Sequence, residues 1–306
     1  MILGIDIGGT KTSVCAGDAD GRILFSARMP SLPERGPDDW MKRLFRLAQE
    51  VLAESGIDLT DVRSIGISAP GPLSVQRGAL LSPPNMTGWE TVPVIAPVQD
   101  HFGRPVYMNN DANAGVLAEW LWGGCAGTKD MIFLTMSTGL GAGIIAGGTL
   151  VQGACDMGGE AGYHVLDPMG PASPCGHRGS FEAFCGGKNA ADRFSRRMKY
   201  PRPADFRHFM DEVRRKNPIA LEEWEIYIEH LAQGIGNLIM ILNPSIILLG
   251  TIAMHTGSII FDELSRRLPA YTVPEALKAC RIEAATLGRY LGDHAALAVA
   301  AKNMAQ

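Results

Sequence analysis

The chain opens on alternating apolar positions that break at glycine. Ile2 to Ile7 reads as a buried strand, Gly8 and Gly9 as a tight turn, and Thr12 to Ala16 as the returning strand. Asp20 and Gly21 then turn the chain into a third strand, Ile23 to Ala27, which completes an antiparallel meander. Trp40, Leu44, Leu47 and Val51 recur at helical spacing, with Gly56 as the stop. Val62 to Ser68 and Pro105 to Asn109 read as further strands, and Ala112 to Trp122 as a helix with Asp111 at its N-cap. After the glycine-rich breaker 123–127 the pattern starts again. Met131 to Met136 is a strand, Ser137 to Gly141 a glycine turn, Ala142 to Ala146 the returning strand, and Gly147 with Gly148 another turn. A strand, a polar glycine turn and a strand, repeated at half the chain length, predict two similar α/β domains facing one another. Trp224, Ile228, Leu231, Ile235, Leu238 and Leu242 mark one long helix, stopped by Asn243 and Pro244. Ile246 to Leu249 then forms a strand closing on Gly250, and a last helix runs from Asp293 to Lys302.

Composition narrows the function classes. The 306 residues suffice for about two domains, and 46% hydrophobic against 20% charged residues is ordinary globular usage. With 28 basic and 32 acidic residues the net charge is −4, which gives no electrostatic footprint for nucleic acid or an anionic membrane. The 6 cysteines are scattered without paired spacing, no charged leader precedes Ile2, and no apolar run reaches the length of a membrane span. These features predict a soluble, cytoplasmic protein.

Two glycine turns carry the first candidate chemistry: Asp6 to Thr12 and Ser137 to Gly143. A glycine-rich turn lets backbone N–H groups approach phosphate oxygens without side chains in the way. Thr10, Thr12, Ser137 and Thr138 add hydroxyl donors, Lys11 a positive charge, and Asp6 a carboxylate suited to Mg²⁺ or its waters. Neither turn is a Walker loop or a dinucleotide fingerprint. Asp111 opens a helix after a strand, where it serves either as a cap or as a catalytic group, and Asn109, Asn110 and Asn113 crowd round it as an amide cluster able to grip a polyol. Glu160, His164 and Glu182 form a third polar region that could hold sugar hydroxyls. Asn85 and Trp89 offer a hydroxyl-binding group and a stacking group. Cys175, His177, Cys185 and His164 invite a zinc reading, but their spacing is poor.

Taken in order, these segments resemble the ROK family of repressors, open-reading-frame proteins and sugar kinases. The run from Gly4 to Val14 is similar to that family's first phosphate loop, and Leu134 to Ile145 to its second. Asn109 to Ala114 resembles the catalytic aspartate motif, Pro84 to Trp89 the sugar-side loop, Ile241 to Gly250 the approach to the adenosine pocket, and Tyr290 to Ala301 the closing helix. The resemblance implies a two-domain α/β actin-like (ribonuclease H-like) ATPase fold with a cleft between the lobes. The small domain would be 1–115, joined by helix 290–306, and the large domain 116–289. It implies a glucokinase-like carbohydrate kinase using ATP and Mg²⁺, with Asp111 as general base. Asn85, Asn110, Glu160, Tyr163, His164 and Glu182 would hold the sugar. Asp6, Gly8, Gly9, Thr10, Lys11, Thr12, Ser137, Thr138, Gly139 and Gly250 would hold the nucleotide, with Asp6 reaching Mg²⁺ through water. A homodimer is implied as well. The alternative is a non-catalytic sugar-binding or regulatory relative; the first phosphate turn begins at residue 6 and leaves no room for the repressors' DNA-binding segment.

Two departures bear on the sugar. The family's Glu-x-Gly-His pattern reads Glu160-Ala161-Gly162-Tyr163, with His164 one place late, so Tyr163 occupies the histidine's place. Ser173 and Ser180 stand where the zinc element has cysteines, which predicts no structural zinc site. Thr251 replaces a glycine beside Gly250.

Overall fold

The computed structural model describes residues 1–173 and 176–304, and the chain divides into two compact units. The first comprises Met1–Gly127, Gln152–Gly158 and the segment from Thr286 onward. Its sheet begins with the expected meander, β1 (Ile2–Ile7), β2 (Lys11–Gly17) and β3 (Ile23–Pro30), paired antiparallel. Helix α1 (Pro37–Ser55) follows and buries Trp40, Leu44, Leu47 and Val51, the positions set by its 3.6-residue period. It stops at Gly56, whose φ of 68° suits glycine. Strand β4 (Ser64–Ala69) starts two residues later than the apolar pattern suggested, because Val62 is buried while leaving a short 3₁₀ turn.

A small antiparallel sheet, β5 (Leu73–Ser74), β6 (Ala79–Leu81) and β7 (Thr91–Pro93), precedes α2 (Ile95–Phe102), β8 (Val106–Asn110) and α3 (Asp111–Trp122). The main sheet has the order β3-β2-β1-β4-β8, with the last three strands parallel. The boundary expected at 115/116 falls inside α3, and the unit runs on to Gly127. Buried Glu119 explains this continuity, since its carboxylate accepts the N–H groups of Thr286 (2.8 Å) and Leu287 (3.0 Å) and so ties α3 to the returning C-terminal segment.

The second unit, Thr128–Val151 and Gly159–Ala285, repeats the plan. Strands β9 (Met131–Met136), β10 (Leu140–Ala146) and β11 (Thr149–Leu150) are antiparallel. Helices α4 (Phe181–Cys185), α5 (Gly187–Arg197), α6 (Phe206–Arg214) and α7 (Pro218–Leu242) lead to β12 (Ile246–Leu249), then α8 (Thr251–Thr256), α9 (Ser258–Arg267), α10 (Pro274–Ala279) and β13 (Arg281–Ala284). The sheet order β11-β10-β9-β12-β13 matches the first sheet strand for strand, with β12 parallel to both neighbours. Tyr227, Ile228, Leu231 and Ile235 of α7 pack with Phe181, Phe194 and Phe209 at the centre of the core. Buried Glu223 of α7 bonds Arg193 at 3.2 Å, and that guanidinium also donates to the Ala183 and Phe184 carbonyls, joining α4, α5 and α7.

Helix α11 (Leu291–Met304) returns to the first unit and packs on β1 and β4 through small residues, among them Ala295, Ala296, Ala298 and Ala300. The approach is close enough that any side-chain carbon on Gly66 of β4 would overlap the Ala296 carbonyl oxygen. Buried Asp293 fixes the register by accepting Ser13 Oγ of β2 at 2.7 Å and Ser26 Oγ of β3 at 2.9 Å.

Candidate active site

In the first unit the candidate residues gather at the carboxyl ends of the parallel strands, the usual place for ligands in an α/β sheet. Register pairs Asp6 with Ser68 and Ser68 with Asn109. The ends of β1 and β8 are thus two strand spacings apart, roughly 10 Å. Ser68 Oγ donates to Asp6 Oδ1 at 2.9 Å. Burial pushes the Asp6 carboxyl above the ordinary carboxylate value in spite of that bond, and Asp293 adds to the rise.

The first glycine turn is held by its carbonyls. Lys11 O accepts Gly8 N–H at 2.9 Å, Thr10 O accepts Ser31 N–H at 3.0 Å, and Gly8 O accepts Ser31 Oγ at 2.5 Å. The lone pairs of the turn are bonded back to the protein, and Thr10 and Lys11 are exposed. Gly9 lies against Asn85, whose Cβ and carbonyl oxygen would each be 2.7 Å from a side-chain carbon at residue 9. The structure therefore brings Asn85 to the first turn.

Asn110, and not Asp111, is the N-cap of α3: its Oδ1 accepts Asn113 N–H at 2.7 Å. Asp111 occupies the first helical position and is exposed, where a helix N-terminus favours negative charge. Asn109 Oδ1 accepts both Asn110 N–H and Asn113 Nδ2, so these bonds of the amide cluster build the strand-to-helix corner, while Asn113 Oδ1 is buried without a hydrogen-bond partner. Asn110 keeps its Nδ2 as a group to offer a ligand.

Thr12 and Trp89 correct the sequence reading. Thr12 is fully buried, and its hydroxyl meets Ser31 Oγ at 3.0 Å and accepts Trp40 Nε1 at 2.9 Å. That hydroxyl faces the α1 side of the sheet, because alternation along β2 sends successive side chains to opposite faces. Trp89 is likewise buried, edge-on to Trp40, with its Nε1 bonded to the Pro33 carbonyl.

In the second unit the second turn repeats the design of the first. Gly139 O accepts Ser137 N–H at 3.1 Å, Ser137 O accepts Gly187 N–H at 3.0 Å, and Thr138 O accepts Lys188 N–H at 3.0 Å. Gly250 caps α8 and abuts the end of β9, with a side-chain carbon there 2.9 Å from Leu134 O. Ser137, Thr138, Lys188, Phe206, Arg207 and Thr251 help line a cavity of about 880 Å³, large enough for a nucleotide-sized ligand. Its walls on α5 and α6 were missed from sequence. The one signal available was the glycine pair Gly186 and Gly187 ahead of Lys188, which opens a helix directly on the turn.

Glu182 also reaches this turn, its Oε2 accepting Leu140 N–H at 2.8 Å. Partial burial lifts the carboxyls of Glu182 and Glu160 above the ordinary value, and the charge of Glu182 raises Glu160 further. Tyr163 and His164 lie at the end of the 3₁₀ turn that follows Glu160. His164 Nδ1 bonds the Ala161 carbonyl at 2.5 Å, its ring stands edge-on to Phe181, and its buried Nε2 has no partner.

The ROK family model matches residues 2–303. The chain belongs to the ROK family. A glucokinase from Thermotoga maritima is 31% identical over 299 residues, covering 94% of this chain and 92% of that protein. Among solved structures, a ROK hexokinase from Thermus thermophilus superposes with a TM-score of 0.87 at 29% identity, covering 100% of this chain and 99% of that one. A ROK glucokinase from Streptomyces griseus in complex with glucose and AMPPNP gives 0.80 at 25% identity, with 97% of each chain covered. The mixed α/β, actin-like fold expected of a ROK protein is the one observed. Cys175 lies outside the described residues. Among the described residues no group of three His, Cys, Asp or Glu side chains is placed to hold a metal, and Cys185 is buried with its thiol on the Tyr227 carbonyl at 3.4 Å. No helix among them is long and apolar enough to cross a membrane.

Proposed function

We propose that this ROK protein is an ATP-dependent sugar kinase that transfers the γ-phosphoryl group to a hydroxyl of a hexose-like sugar. The observation that carries the reading is the second turn: its three carbonyls are hydrogen-bonded within the protein, and its Ser137 and Thr138 line a nucleotide-sized cavity together with Lys188. Relatives that are glucokinases or hexokinases, one of them solved with glucose and AMPPNP, support the same activity.

In this reading Asp111 accepts the proton of the sugar hydroxyl as its oxygen attacks the γ-phosphorus, and ADP leaves. Phosphoryl transfer asks little covalent chemistry of the protein, so positioning and charge stabilisation dominate. Asn85, Asn110, Glu160, Tyr163, His164 and Glu182 orient the sugar. Gly8, Gly9, Thr10, Lys11, Ser137, Thr138, Gly139 and Gly250 serve the nucleotide. Asp6 suits Mg²⁺: it is a carboxylate with one hydrogen-bonded oxygen, and burial leaves its ionised form in want of a positive partner. When bound, Mg²⁺ would neutralise charge on the phosphates, with Asp6 holding it through water. The reading includes a homodimer, which light scattering would register as twice the chain mass.

The test is ADP release with ATP and Mg²⁺ across hexoses, hexosamines and fructose. A kinase releases ADP with at least one sugar and forms its phosphate ester. A protein that binds a sugar yet releases no ADP with any of them would instead be a sensor.

A further inference from the structure

The carboxylate assigned to the sugar is also part of the phosphate turn. Glu182 Oε2 accepts the N–H of Leu140, the residue directly after Gly139. A side-chain carbon at Gly139 would lie 2.4 Å from that same oxygen, so the carboxylate would have to move aside. On the other side of Leu140, Gly162 lies against the Leu140 carbonyl, and it belongs to the short segment that carries Glu160 and Tyr163. The clamp is completed a few residues beyond Glu182. Gly187 and Lys188 donate to the Ser137 and Thr138 carbonyls, while Gly186 N–H (2.7 Å) and Asn189 Nδ2 (2.9 Å) fix the Glu182 carbonyl. One segment, 182–189, thus grips the turn from Ser137 to Leu140 at three points.

We propose that Glu182 is a positioning residue that couples the two substrates: the carboxylate that takes a sugar hydroxyl also sets the backbone of the second phosphate turn, so that occupancy by one substrate changes affinity for the other. The inference rests on the sugar-kinase reading of Glu182. Its mechanism is local. One carboxylate oxygen is committed to Leu140, and a hydroxyl on the other fixes the plane of the group. The Leu140 amide and the turn before it then lose the freedom they would otherwise give up on binding phosphate. The raised carboxyl of Glu182 fits a group that lacks its full complement of partners until a ligand arrives.

The test separates the link from mere sugar contact, because it first measures nucleotide alone. AMPPNP affinity by calorimetry, with no sugar present, should weaken by at least about ten-fold in Glu182→Ala, the worth of one hydrogen bond to a charged group, and stay within about two-fold of wild type in Glu182→Gln, whose amide oxygen still accepts from Leu140. Amide exchange in the peptide spanning 137–145 should quicken in Glu182→Ala and return to the wild-type rate in Glu182→Gln. In the wild-type chain, sugars that support ADP release should tighten AMPPNP, and Gly139→Ala, which displaces the carboxylate, should remove that effect. Unchanged AMPPNP affinity in Glu182→Ala would overturn the link, as would wild-type AMPPNP affinity that ignores every sugar it phosphorylates. Either result leaves the kinase reading standing, whereas absence of ADP release with every sugar would remove that reading and the link together.

Discussion

Thr12 and Thr138 are both hydroxyls beside a glycine turn, yet they have different work to do. Thr12 lies inside β2 and its oxygen satisfies the Trp40 indole, whereas Thr138 sits within its turn and lines the cavity. Thr12→Val should therefore cost about 1–3 kcal/mol, because Trp40 Nε1 is left buried without an acceptor. Urea unfolding would measure the cost, while the KM for ATP should move less than about two-fold; a large rise in that KM with normal stability would return Thr12 to the nucleotide. Glu160 makes a different trade. Its raised carboxyl means that the folded chain binds the proton more tightly than the unfolded chain does. Its contribution to stability is thus greatest below the ordinary value of 4.5 and is lost as pH rises through the raised native value. Glu160→Gln, which does not ionise, should melt higher than wild type near pH 8, with the gap closing as pH falls toward 4. A gap independent of pH would mean that burial of charge at Glu160 is not its cause.

Among the elements, helix α11 is the one whose place depends most on small residues. Its central run, Ala295 to Ala301, is apolar on every side, so its period names no face, and its docking is set by alanines, by Gly66 beneath them and by the Asp293 carboxylate. Gly66→Ala should cost more than about 3 kcal/mol, since neither the Ala296 carbonyl nor the β4 backbone can move alone. Thermal unfolding would show it, and a loss under about 1 kcal/mol would mean that the helix stands further from the sheet. The meander was legible from sequence because short apolar runs are separated by glycine turns, and α1 and α7 because each carries a 3.6-residue period up to a glycine or asparagine stop. Strands β5, β6 and β7 were not, being two or three residues long and too short for alternation to register. The cap of α3 was ambiguous by chemistry, since Asn110 and Asp111 are equally good capping types and only the backbone angles choose between them.

For the molecule as a whole, the recurrence of a glycine turn after the first strand of each half announced the repeat now visible as two sheets of identical strand order. The turns and the strand ends that carry Asp6 and Asn109 were legible because glycines and apolar runs mark them. The cavity walls on α5 and α6 were not, because nothing in the local pattern of Phe206 or Arg207 distinguishes a pocket wall from a helix surface. The central claim concerns Asp111, displaced from the capping role by Asn110 and standing exposed at the start of α3. The most direct measurement is steady-state kinetics of Asp111→Asn with the preferred sugar. General-base removal predicts a kcat lower by at least about 100-fold with the sugar dissociation constant nearly unchanged. A variant that turns over at close to the wild-type kcat would contradict the account.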